Sequence, residues 1–290
     1  MRLGYNTNGL ICHDWETGLR LIADLGYQSV ALTLDYHCLN PYADDLPVQI
    51  ARMQKLLAEL KLTNVIETGA RFLLDPRRKH EPTLLTSDPA ARARRVDFLC
   101  RAIDLARELE SQAVSFWAGT CHDDTPADQL WPRLQDGLSQ VVDYATRRNV
   151  RLAFEPEPGM LVERCDECQP LIDVLQSPLF GLTIDIGHLH CVEDEPIPAL
   201  LRKWSPLLFN VHIEDMCRGV HEHLRFGAGE IDFRPVLQTL TEVGYAGGLH
   251  VELSRHSHMA PEVAAESYRF LTEILAELSP RGSGSAGCES

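Results

Sequence analysis

The sequence predicts a single (β/α)8 barrel, an α/β fold in which parallel strands alternate with helices. Three observations predict it. Strand-like and helix-like segments alternate as far as residue 278, at about 30–40 residues per unit, which suits a barrel of about 250 residues with insertions. The strand-like segments are short apolar runs, as strands buried on both faces require. Four of the later ones end in an acid or a histidine, and chemistry in such a barrel sits where the strands end.

Taken in order, residues 2–6 form a first strand, and Asp14 caps a helix running through Leu19, Leu21, Ile22 and Leu25 to Gly26. Residues 28–34 form the second strand. Ile50, Met53, Leu56, Leu57 and Leu60 fall at helical spacing, and residues 64–67 are a third strand ending in Glu67. Residues 68–88 make a connection longer than is usual, expected to act as a lid or binding loop. A helix over 89–110 leads to a strand over 113–117, and a helix over 127–148 leads to a strand over 150–155. Residues 166–176 are helical and lead to Leu182-Thr183-Ile184-Asp185-Ile186-Gly187-His188, a buried strand that ends abruptly in an acid. A short helix over 196–203 precedes the strand 207–212, and a helix over 233–243 precedes the strand 248–252. Pro261 opens a closing helix to 278. Residues 1–278 are thus expected to form one domain, followed by a Gly- and Ser-rich tail over 279–290 expected to be disordered. A doubly wound open sheet would carry a Gly-rich phosphate turn after its first strand, and Asn6-Thr7-Asn8-Gly9 is not one.

Composition narrows the function. With 44% hydrophobic and 24% charged residues among 290, and no long apolar run, the chain reads as a globular protein without a membrane span. Residues 1–6 lack the apolar stretch of a signal peptide, and nine cysteines without such a signal point to reduced thiols in the cytoplasm. Cys165-Asp166-Glu167-Cys168 has no partner pair and reads as two incidental thiols at a helix start. A net charge of −15 argues against nucleic acid, whose phosphates need concentrated Lys and Arg. The basic run 77–80, with Arg92, Arg94 and Arg95 after it, reads as a solvated loop and helix face.

The strand ends carry the chemistry. Glu155, Asp185, His212 and Glu252 terminate strands five to eight and converge at one mouth. Three buried carboxylates repel one another, and a divalent cation removes that penalty. A mixed oxygen and nitrogen set suits Mn²⁺, Mg²⁺, Co²⁺ or Zn²⁺, and the absence of thiolates argues against a structural zinc. Glu157 brings another carboxylate two residues after Glu155. His212 is followed by further acids and by Arg218, able to hold a hydroxyl or phosphate oxygen. His221-Glu222-His223 lies in a loop, and Gly227 and Gly229 let the backbone approach the site. Trp15, Tyr36, His37, Arg71, Trp117 and His122 are candidates to line the pocket, with Arg71, Arg77 or Arg218 for a phosphate.

These motifs resemble the xylose isomerase-like barrel superfamily, which holds sugar phosphate isomerases and epimerases, ketose 3-epimerases and the apurinic-site endonucleases. The resemblance covers residues 1–278 and is sharpest over 154–253. In the ketose epimerases a Glu, an Asp, a His and a Glu on strands five to eight bind one metal ion, and Glu155, Asp185, His212 and Glu252 match them. The histidine of their Asp-x-x-His and the arginine six residues after the ligand histidine bind substrate; His188 and Arg218 match these. The endonuclease branch pairs the first histidine with an Asp-x-His before Gly-x-Gly to hold another zinc, and His221-Glu222-His223 falls at the corresponding place. Trp117 stands where that branch has a further zinc-binding histidine, which puts its full trinuclear site in doubt. Homodimers are common in the superfamily.

Two mechanisms follow. In an isomerase or epimerase of a sugar, sugar phosphate or keto-polyol, Glu155 and Glu252 exchange a proton with the substrate across a metal-stabilised enediolate, with His188, Arg218, Glu157 and Trp117 binding substrate. In a metal-dependent hydrolase or lyase, His188, His221 and His223 hold a second ion. An open mouth with spare acids suits turnover better than metal storage.

Overall fold

The computed structural model describes residues 1–278. Eight strands close into a parallel barrel: β1 (Arg2–Asn6), β2 (Ser29–Thr33), β3 (Thr63–Glu67), β4 (Val114–Trp117), β5 (Leu152–Glu155), β6 (Phe180–Asp185), β7 (Leu208–Ile213) and β10 (Gly248–Val251). Their order around the wall is β1-β10-β7-β6-β5-β4-β3-β2, so the first and last pair and no edge remains. Between β7 and β10 lies an antiparallel hairpin of β8 (Asp215–Cys217) and β9 (Val220–Leu224). The helices are α1 (Trp15–Asp24), α2 (Leu46–Leu60), α3 (Pro89–Glu108), α4 (Ala127–Arg148), α5 (Gln169–Leu175), α6 (Ile186–Val192), α7 (Ile197–Trp204), α8 (Phe233–Glu242) and α9 (Ala260–Leu278). The tail over 279–290 lies outside the described residues.

The strand sequences explain a two-faced wall. Side chains alternate along a strand, and here one alternate set is apolar: Leu3, Tyr5, Val30, Leu32, Ile66, Phe116, Phe154, Leu182, Ile184, Val211, Ile213, Leu249 and Val251 are all buried. This set belongs to one continuous apolar core with Phe98, Leu99 and Ile103 of α3 and with Leu134, Leu138 and Val141 of α4. Each such side chain contributes about 1.5–3 kcal/mol on full burial. The other set is polar or small and meets across the lumen. Ser115 on β4 reaches Thr183 on β6 at 2.8 Å, Ser29 on β2 reaches His250 on β10 at 2.9 Å, and Asn210 on β7 reaches Glu67 on β3 at 3.1 Å. None of these strand pairs are neighbours in the wall, so the contacts run through the interior. The lumen is a hydrogen-bonded polar core, where branched apolar layers are the rule.

Local signals set the helix starts. Asp14, Asp88 and Asp232 each accept a backbone N–H at the start of α1, α3 and α8. Two elements differ from the sequence reading. Helix α6 begins immediately after Asp185, because its carboxylate accepts the His188 N–H at 3.0 Å and caps the turn. The segment 221–223, expected as loop, is strand: Gly219, at φ +72, turns the hairpin, and Asp215 clamps the following loop by accepting the N–H groups of Gly227, Gly229 and Ile231. A side chain at Gly229 would collide with that carboxylate, so this glycine serves Asp215 and not the mouth. Arg95, expected on a solvated face, is fully buried, with its guanidinium 4.5 Å from the Trp117 ring. Among the described residues no helix is long and apolar enough to cross a membrane. The described cysteines are all free thiols, and burial pushes those of Cys165 and Cys168 up, which disfavours thiolate chemistry.

Candidate metal centre and active site

Barrel register brings the strand ends level. Thr33 pairs with Glu67, Trp117 with Glu155, and Asp185 with His212, while the Glu252 N–H bonds the Ile213 carbonyl. Three carboxylates then turn to one atom of a fourth side chain. His212 Nδ1 lies 2.9 Å from Glu252 Oε2, 3.2 Å from Glu155 Oε1 and 3.9 Å from Asp185 Oδ2. Asp185 divides its oxygens between two tasks: Oδ1 caps α6, and Oδ2 is buried without a hydrogen-bond partner.

That cluster is electrostatically split. Burial opposes a charge on His212, but the carboxylates of Glu67, Glu155 and Glu252 overcome it and hold the imidazole well above its usual range. Burial alone would raise Glu252; the His212 charge instead holds it below the usual carboxylate range. Glu155 is pushed up to about 8, chiefly by burial, with the charges of Glu252 and Asp185 adding. Glu157 is raised further by burial and by Glu155. Two carboxylates whose environments push them apart are the pattern of a proton donor beside a proton acceptor.

The donor set fits a hard divalent ion. Glu155, Asp185 and His212 form one group, Glu252 Oε2 approaches the same His212 Nδ1, one Asp185 oxygen has no hydrogen-bond partner, and no cysteine belongs to the group. Glu155, Asp185 and His212 offer atoms within 4.8 Å of one another, and so do Asp185, His223 and Glu252.

A second group stands above it. His221 and His223, two apart on β9, share a face and approach His188 with ring centroids 4.7 and 5.6 Å away. Glu222, on the other face, pairs with Arg255 at 2.7 Å. His188 Nε2 is 3.1 Å from His221 Nε2, and the three imidazoles offer nitrogens within 4.8 Å of one another. Burial lowers His188 to about 4 and lowers His221 as well, so both are neutral at pH 7.

These groups face a cavity of about 230 Å³. Glu157 and Trp117 line it beside the cluster, and the 68–88 connection contributes Arg71, Lys79 and His80 to its rim. That connection is packed down, with Leu73, Leu74, Leu84 and Leu85 buried, so it forms a fixed wall. Trp15, Tyr36 and His37 line an adjoining cavity of about 690 Å³ that shares Thr33 and Arg71 with the first. His122 is exposed and 3.3 Å from Glu81, and Arg77 is an exposed loop residue; neither lines the mouth. Arg218 lies elsewhere too: its guanidinium is engaged by the carbonyls of His190 and Glu193 and by the Asp194 carboxylate at 3.0 Å. Beyond α6, those acceptors hold it at the edge of a different cleft.

Sequence reasoning passed over four participants. Glu67 reaches His212 Nε2 at 2.9 Å from the far side of the ring. Asn8, in the turn after β1, donates to Glu252 Oε1 at 2.7 Å. Asn210 sits beneath His212, and Glu214, fully buried and hydrogen-bonded to the Asp185 carboxylate, stands 3.8 Å from His223. Burial, and then the neighbouring Asp185, push Glu214 well above its usual range. Glu67 and Glu214 had visible signals: the first ends its strand in an acid, and the second is one of the acids that follow His212.

Comparison with known proteins places the chain among relatives. Residues 19–274 match the family described as Xylose isomerase-like TIM barrel. The L-ribulose-5-phosphate 3-epimerase UlaE of Salmonella paratyphi A is 27% identical over 271 residues, covering 92% of this chain and 91% of that protein. Among solved structures, an L-ribulose 3-epimerase superposes with a TM-score of 0.75 at 22% identity, covering 96% of this chain and 95% of its own. The IOLI protein with a bound zinc atom superposes with a TM-score of 0.75 at 16% identity, covering 96% and 99%.

Proposed function

The chain belongs to the family of xylose isomerase-like TIM barrels, and from that premise we propose that it is a cytoplasmic, divalent-metal-dependent 3-epimerase of a ketose or ketose phosphate. One observation carries the reading: Glu155, Asp185 and Glu252 all turn to His212 Nδ1, at the floor of a polar cavity. The relative named for L-ribulose-5-phosphate and the neighbour named for L-ribulose support the substrate class.

Glu155, Asp185, His212 and Glu252 would hold the ion. When bound, it supplies the positive charge that stabilises oxygen as the adjacent C–H proton leaves. Glu155 and Glu252 carry the proton: the ionised one accepts it from C3, and the other returns a proton to the opposite face. Asn8 fixes the Glu252 carboxylate through its 2.7 Å bond. Glu157 and neutral His188 are placed to hold substrate hydroxyls, and Trp117, backed by Arg95, closes one wall. Lys79, with no ion pair among the described residues, faces the cavity and suits a phosphate.

The test is exchange in D2O. Purified protein, stripped with EDTA and reloaded with Mn²⁺, should introduce deuterium at C3 of L-ribulose or its 5-phosphate as the epimer appears, and the stripped protein should not. Absence of exchange for free and phosphorylated ketoses alike would sink the reading.

The close approach of His188, His221 and His223 favours a second reading, a two-ion hydrolase or lyase. Elemental analysis separates the two. One ion per chain, unchanged in a His221→Ala/His223→Ala variant, fits the epimerase; two ions, falling to one in that variant, fit the hydrolase or lyase.

A further inference from the structure

We propose that Glu67 is a positioning residue for His212, fixing the imidazole so that Nε2 carries the proton and Nδ1 is the atom presented to the ion. The proposal rests on the metal reading above. Glu67 ends β3, across the lumen from β7, and is buried, with Oε1 2.9 Å from His212 Nε2. A carboxylate only accepts, so an unprotonated Nε2 at that distance would set lone pair against lone pair.

A competing arrangement sits in the same place. Asn210 Nδ2 is 3.1 Å from the same His212 Nε2. If that amide donated to Nε2, the ring proton would move to Nδ1 and block coordination. The lumen is built against this. His250 Nδ1, 2.9 Å from Asn210 Oδ1, donates to it and sets which way the amide faces. With Nδ1 as the donor, His250 Nε2 accepts, and Ser29 Oγ, 2.9 Å away, divides its one hydrogen between that nitrogen and the Thr63 carbonyl at 3.2 Å. The Asn210 amide hydrogens are then taken by Glu67 Oε1 at 3.1 Å and Thr183 Oγ1 at 3.4 Å. Side chains at Gly4 or Gly248 would collide with His250, so those two strands leave the room it needs. Each group from His250 to Glu67 then has a donor or acceptor role, and the series ends on His212 Nε2. Fixing the tautomer of a ligand histidine through its second nitrogen raises its affinity for metal.

The experiment compares Mn²⁺ affinity of the full chain, wild type, Glu67→Gln and Glu67→Leu, by competition with a chelator. Leucine removes the acceptor, and affinity should fall about 100-fold; glutamine keeps a neutral acceptor oxygen, and affinity should fall about tenfold. The ¹⁵N resonances of His212 in Zn²⁺-loaded wild type should show Nδ1 coordinated and Nε2 protonated. Unchanged Mn²⁺ affinity in the variants, or coordination through Nε2, would overturn the proposal; Glu67→Gln and the resonances decide it alone if Glu67→Leu does not fold. Wild type that binds no divalent ion would remove the metal reading itself, a different failure from equal binding by wild type and variants.

Discussion

The two sides of the His212 ring are built on opposite principles. Below it, Glu67, Asn210, His250, Ser29, Thr183 and Ser115 satisfy one another with hydrogen bonds across the lumen. Above it, Asp185 Oδ2 and His188 Nδ1 are buried with no hydrogen-bond partner among the described residues. Unsatisfied buried polar atoms cost about 1–3 kcal/mol each, and a fold keeps such a group where something else completes it. The floor is complete in itself and positions; the mouth is incomplete and binds.

That contrast says where damage should fall. Mouth substitutions should remove chemistry and spare the fold, and the largest effect is expected there. Glu252→Gln should lower kcat by about 10²–10⁴-fold, the range for loss of a general acid or base, with its circular dichroism spectrum unchanged. Full activity in that variant would remove Glu252 from proton transfer. Asp185→Asn is the sharper probe, because asparagine caps a helix as well as aspartate does. Its oxygen should go on accepting the His188 N–H, while the atom facing the ion loses its charge. Metal content should collapse without loss of α6; loss of helix signal instead would mean the acid is structural.

Proton linkage gives the next effect. Glu155 is lifted to about 8 and His212 stands well above its usual range, so in the metal-free chain both are protonated at pH 7. An ion must displace those protons, and its apparent affinity therefore rises with pH. The slope of log affinity against pH should therefore decrease as pH rises through about 8, where Glu155 gives up its proton without the ion. Mn²⁺ titrations from pH 6 to 9 measure it, and a flat profile would mean that the cluster is not the ion's site.

Glu155 also sets stability. Its pKa is raised on folding, so the native chain binds more protons than the unfolded one between its ordinary range and about 8. Stability of the metal-free protein should thus fall as pH rises through that window, and the loss should be present at pH 7. Glu155→Gln removes the linkage and should stabilise the metal-free protein at pH 7 by about 1–3 kcal/mol, or about 2–4 °C in Tm for each kcal/mol. A lower Tm in that variant would mean the acid is well accommodated and the mouth is not strained.

The same contrast explains what could be read from the sequence. The four converging side chains were legible because an acid or histidine at the end of an apolar strand is out of place, and four of them fall on consecutive strands. Glu67 ends its strand the same way yet stands apart in the chain, and only closure brings β3 opposite β7. The floor residues Ser29, Asn210 and His250 are single polar letters inside apolar runs, which look like ordinary variation until partners from distant strands are seen. His221 and His223 alternate with period two, a strand signal in hindsight, but Gly219 and the glycines at 227 and 229 give the stretch a loop's composition. Arg218 rests on its match to the family's arginine six residues after the ligand histidine, and that match carries no information about the carbonyls that engage it after α6.

The smallest predicted effect tests the floor at its far end. Ser29 touches neither His212 nor the cavity; its hydroxyl meets His250 Nε2 at 2.9 Å and the Thr63 carbonyl at 3.2 Å. Ser29→Ala deletes the hydroxyl's contacts with both His250 and the Thr63 carbonyl in a dry interior, which should cost about 1 kcal/mol in urea unfolding. The His250 ring would then be free to exchange tautomers, and the Asn210 amide would lose its fixed orientation, loosening Glu67 in turn. Mn²⁺ affinity should therefore fall by a few-fold, less than in Glu67→Gln, although the substitution lies two side chains beyond Asn210. If stability falls and Mn²⁺ affinity does not move, the lumen network is only packing, and the positioning stops at Glu67.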